Sequence, residues 1–119
     1  RYAQLKRDML AIRAERLAGQ WEDVIVFADD LEGEELRILM NLVLDHGKRL
    51  CAVFGGDEEH GFRYVIGSRI LDMRPLAKEL NETFHGRGGG KSEMVQGSVQ
   101  GNESEMRAWI QEKARKMNG

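Results

Sequence analysis

The chain has 119 residues, 41% hydrophobic and 32% charged. That suffices for one domain, is too apolar for a disordered chain, and includes no apolar run of the ~18–20 residues that cross a bilayer. The net charge of −2 argues against a strongly basic nucleic-acid binder, although its distribution is uneven: residues 21–60 hold three basic and eleven acidic side chains, and residues 61–119 hold ten and seven.

Residues 1–19 read as a helix whose apolar seam, Tyr2, Leu5, Met9 and Ile12, repeats at 3-4-3 spacing. The seam suits a coiled coil that dimerises a longer protein, and the start at Arg1 is read as a fragment's start. Residues 21–119 form the second unit. Asp23–Ala28 is a β-branched apolar run expected as a buried strand. Glu35–Asp45 repeats Leu36, Leu39, Met40, Val43 and Leu44 at helical spacing. Leu50–Phe54 and Phe62–Ile66 flank a glycine-containing turn and predict a hairpin. Asp72 is expected to cap a helix that carries Pro75 in its first turn and ends near Phe84. Met94–Val99 predicts a strand, and Glu103–Met117 a last helix with Met106, Trp109, Ile110 and Ala114 on one face. Strands alternating with helices predict a three-layer α/β domain with a mixed β-sheet in the order β-α-β-β-α-β-α, preceded by the N-terminal helix.

Between the third helix and the following strand lies His85-Gly86-Arg87-Gly88-Gly89-Gly90-Lys91-Ser92, read as a loop. Such a glycine cluster costs backbone entropy to order and is kept where φ must be positive or another molecule comes close. Consecutive amide N–H groups can converge on an anion. His85, Arg87 and Lys91 supply positive charge, Gln96 and Ser98 hydrogen-bonding groups, and Gly97 room beside the backbone. A Walker A loop is excluded, because its leading glycine would fall on His85 and the segment runs from helix to strand. A dinucleotide fingerprint fails at Lys91. His46, His60, His85 and Cys51 show no metal-ligand spacing, and no metal or catalytic pair is expected in this chain. Cys51 falls in a buried strand and is read as core; a lone cysteine suits a reducing cytoplasm.

The run from Gly86 to Ser98 resembles the glycine-rich signature of the DHH-associated domain, which ends alanyl-tRNA synthetases and the longer AlaX-type alanyl-tRNA editing proteins. The element order from Trp21 onward is similar, as is the leading helix. The resemblance implies a tRNA-binding accessory domain, most simply for alanine tRNA, that grips phosphates through Arg87, Gly88, Gly89, Gly90 and Lys91. His85, Gln96, Gly97 and Ser98 would stand beside them. It also implies a homodimer through the helical seam and a zinc-dependent editing hydrolase in a separate upstream domain. Two other readings stay open: the phosphate-binding half of a DHH-type phosphodiesterase, and a purely structural dimerisation cap.

Overall fold

The computed structural model describes residues 2–118, with side chains from residue 3 onward. The apolar runs become β1 (Asp23–Phe27), β2 (Leu50–Asp57) and β3 (Gly61–Gly67). β1 lies parallel to β2 and is joined to it by α2 (Glu34–Leu44), while β2 and β3 form the expected antiparallel hairpin. α3 (Arg74–Thr83) leads into β4 (Arg87–Lys91) and β5 (Met94–Val99), and α4 (Glu103–Lys116) follows. α1 (Tyr2–Ala18) precedes them all. The five strands make one mixed sheet in the order β1-β2-β3-β5-β4, so the α/β class and the leading helix are as predicted.

Two local expectations are corrected. The glycine run is not a loop: Arg87–Lys91 is an edge strand, antiparallel to β5 and joined to it through Ser92-Glu93. It escapes a sequence reading because strands are recognised by side chains that fill a pleated surface, and three consecutive residues here have none. Gly88 and Gly90 moreover take φ of +148° and +158°, a region essentially reserved for glycine. The order after α1 is therefore β-α-β-β-α-β-β-α. The second correction concerns α3, whose N-cap is Met73 rather than Asp72. The Asp72 carboxylate instead accepts from the Arg74 backbone N–H at 3.0 Å and from its guanidinium, one residue outside the capping position.

The sheet divides the interior in two. Alternation along β2 sends Leu50, Ala52 and Phe54 into a core with α3 and α4, and Cys51 and Val53 into a core with α2 and α1. Cys51 is fully buried, and burial pushes its thiol pKa far above the ordinary range, so it packs as a core residue. α1 rests on α2 through Leu10 and Ala14, with Arg13–Asp30 and Lys6–Glu35 ion pairs beside them. Its expected seam points elsewhere: Leu5, Met9 and Ile12 are 63%, 65% and 59% exposed. The Tyr2 side chain lies outside the described residues. Among those residues no helix is long and apolar enough to cross a membrane.

Candidate nucleic-acid interface

The helical layer of α1 and α2 stops short of the sheet's far edge. Val65 of β3 packs beneath α2, whereas Val95 and Val99 of β5 join the opposite core. By alternation Gln96 and Ser98 turn to the α2 side, where both are exposed. Residues directly opposite in antiparallel strands project to the same face. Ser98 stands between Arg63 of β3 and Arg87 of β4, and Gln96 between Val65 and Gly89. Met94 pairs with Lys91. One bare face thus collects Arg63, Arg87 and Lys91 around Gln96 and Ser98, with the two arginines roughly 10 Å apart across two strand spacings.

Two recesses open on this face. A groove of about 930 Å³ runs between the sheet and the start of α2, touching Arg37, Arg63, Val65 and Gln96. Asp29, Glu32 and Glu34 line its far wall, so it is acidic at one end and basic at the other. The second recess, about 460 Å³, lies along Gly89, Gly90 and Lys91, with Met40, Leu44 and Met94 beneath it and Arg69 at its rim. Arg37 and Arg69 are neutralised by Glu34 (2.7 Å) and Asp45 (2.6 Å). Among the described residues Arg63, Arg87 and Lys91 have no ion-pair partner, although Glu93 lines the second recess with Lys91.

The predicted residues are therefore largely brought together, as cross-strand neighbours rather than as a loop. His85 is the exception. It lies at the end of α3 with φ +51°, exposed, and touches neither recess. Gly97 does not hold the space open either: a Cβ there would stand 2.9 Å from Tyr64 Oη and collide with the Arg87 carbonyl, so Gly97 is required by packing within the sheet. Sequence reasoning missed Arg63. The alternation of Phe62, Tyr64 and Ile66 placed it on the open face, but its significance depends on β5 pairing beside it.

The glycines of β4 differ among themselves. A Cβ on Gly88 or Gly90 would strike the carbonyls of Gln96 or Met94. Gly89 has no positive φ, and a Cβ there would meet nothing within 4 Å. The fold has no need of a glycine at this position, which sits in the middle of the basic strip.

Among the described residues no group of three or more His, Cys, Asp or Glu side chains could hold a metal ion.

Residues 21–117 match the family model of the DHHA1 domain. The alanine–tRNA ligase of Acholeplasma laidlawii is 31% identical over 75 residues, covering 63% of this chain and 9% of that protein. The C-Ala domain of Aquifex aeolicus alanyl-tRNA synthetase superposes with a TM-score of 0.63 at 21% identity, over 74% of this chain and 86% of that one. RecJ of Thermus thermophilus, in complex with Mg2+, superposes with a TM-score of 0.71 at 13% identity, over 96% of this chain and 19% of that one. At these identities the two structures share the fold.

Proposed function

Because this chain belongs to the DHHA1 domain family, we propose that it is a tRNA-binding accessory domain of a longer cytoplasmic protein related to alanyl-tRNA synthetases or alanyl-tRNA editing hydrolases. Arg63, Arg87 and Lys91 neutralise phosphates, the free edge of β4 offers backbone N–H groups, and Gln96 and Ser98 address sugar or base. Contacts of this kind set affinity and salt dependence and carry little sequence information. The chemistry, hydrolysis of mischarged alanine tRNA at a zinc centre, belongs to another domain. The carboxylates at Asp29, Glu32 and Glu34 steer the RNA toward the β4 side of the face.

The observation that supports this reading best is Gly89: a position with open space above it and permissive backbone, bare beside three cations that have no ion-pair partner among the described residues. A side chain there harms only an incoming molecule.

The test is a low-salt titration against alanine tRNA, an unrelated tRNA and a dinucleotide. Both tRNAs are expected to bind weakly and to be displaced by salt. Gly89→Val is expected to abolish binding without unfolding the sheet. Arg87→Ala with Lys91→Ala is expected to flatten the slope of log K against log salt by ~0.9 per lost contact on a duplex. Binding of the dinucleotide alone would move the reading to the phosphate-binding half of a DHH-type phosphodiesterase. A second reading, a dimerisation cap, draws on the exposed Leu5, Met9 and Ile12.

A further inference from the structure

Asn81 stands where α3, β3 and the glycine strand meet. Its Oδ1 accepts a hydrogen bond from Tyr64 Oη at 2.9 Å, and its Nδ2 donates to the Gly88 carbonyl at 3.2 Å. Its own backbone carbonyl accepts from the Gly86 N–H at 2.8 Å, so a single residue ties down the entry to β4 at two points. Tyr64 is 1% exposed, its ring inside the α3–α4 core. Burial raises its pKa and keeps the hydroxyl a donor. The Gly88 carbonyl can only accept, so the amide has one orientation, with Nδ2 toward the glycine strand and Oδ1 taking the Tyr64 hydroxyl proton.

β4 needs such a tie. It is an edge strand with β5 on one side only, all five of its residues are exposed, and no side chain at Gly88, Gly89 or Gly90 anchors it. Glycines also have the most backbone freedom to lose. An edge strand turns some of its N–H and C=O groups outward, and an anion is attracted by the former and repelled by the latter. Engaging the Gly88 carbonyl removes an acceptor from the phosphate's surroundings and fixes the peptide that leads into Gly89.

We infer that Asn81, anchored by Tyr64, is the positioning residue of the anion-binding strand: it preorganises Gly88–Gly90 and masks the Gly88 carbonyl so that β4 presents donors to a phosphodiester. The inference rests on the proposed role of β4 and adds a residue remote from the open face, on the far side of the sheet.

The test compares Asn81→Leu, which keeps the branched shape of the side chain and loses both bonds, with Gly89→Val and the parent chain. The readouts are tRNA affinity at fixed low salt, melting temperature, and amide hydrogen exchange at the β4 amides that bond to β5. Asn81→Leu is expected to weaken binding about tenfold and to speed exchange at those ladder amides about tenfold or more, with the rest of the sheet as protected as in the parent. Tyr64→Phe, which removes only the hydroxyl, is expected to weaken binding severalfold and decides the matter should Asn81→Leu fold poorly. Unchanged affinity in Asn81→Leu, or in a well-folded Tyr64→Phe if Asn81→Leu fails to fold, overturns the inference, while loss of binding in Gly89→Val would leave the reading of β4 standing. If Gly89→Val also binds like the parent, both fall together.

Discussion

At Gly88 a methyl group would press on the Gln96 carbonyl while the backbone sits at φ +148°, whereas at Gly89 it would enter empty space on ordinary extended backbone. Adjacent glycines are therefore held by different requirements, and stability measurements separate them. Gly88→Ala is expected to lose about 1–3 kcal/mol in urea unfolding, the usual cost of a non-glycine residue in a glycine-only conformation. Gly89→Ala is expected to be neutral or to gain about 0.4–1 kcal/mol, because alanine restricts the unfolded chain and nothing in the folded one opposes it. A Gly88→Ala protein as stable as its parent would contradict the described strand. This contrast could not be read from the sequence, where the three residues are the same letter. Arg87 and Lys91, by contrast, were legible as candidate site residues, because their charge beside a side-chain-free backbone states its chemistry in any conformation.

Among the elements, α1 is attached through Leu10, Ala14 and Leu17 and by two ion pairs. Arg13 donates to both carboxylate oxygens of Asp30, at 2.9 and 3.2 Å, and holds its pKa below the ordinary value of 3.8. A carboxylate with a depressed folded pKa contributes stability above its unfolded value and loses that contribution as pH falls through the lower, folded one. Asp30 is more than half exposed, so solvent screening limits the pair to ~0.2–1 kcal/mol. Below pH 3.8, α1 is therefore expected to lose amide protection before the sheet does. Asp30→Asn should abolish that step while leaving α1 less protected at neutral pH. If protection in residues 2–18 follows the sheet at every pH, the pair does not govern docking. The helix itself was visible from its periodicity, yet the sequence showed its exposed seam more plainly than its docking face. Leu10 and Ala14 are inconspicuous beside Leu5, Met9 and Ile12, because a small residue signals close packing only when its neighbour is known. The strands followed the same rule: β1, β2, β3 and β5 were marked by their apolar runs, and β4, which has none, was not.

For the molecule as a whole, the two edges of the sheet are treated unequally. At β1, Arg107 of α4 donates to the Ile25 carbonyl at 2.8 Å and its guanidinium lies 5.1 Å from the centre of the Phe27 ring. At β4 the edge carries only glycines and two cations, and it borders the face that α1 and α2 leave bare. The apolar side of α1, Leu5, Met9 and Ile12, lies apart from that face and from the Leu10–Ala14 contact, so two copies could join through it with both basic strips still open. Pairing two strips on one RNA would raise affinity through effective concentration, with no new contact. Leu5→Glu with Ile12→Glu places four like charges in a symmetric pair of helices and none against α2, so the fold should survive. Sedimentation velocity is expected to show a concentration-dependent dimer for the parent and a monomer for the double variant, with tRNA affinity falling about tenfold or more in the variant and the salt slope of the remaining binding roughly halved. A parent that stays monomeric at every concentration would sink the dimer. A dimer whose loss leaves tRNA affinity unchanged would make α1 an assembly element independent of the basic strip.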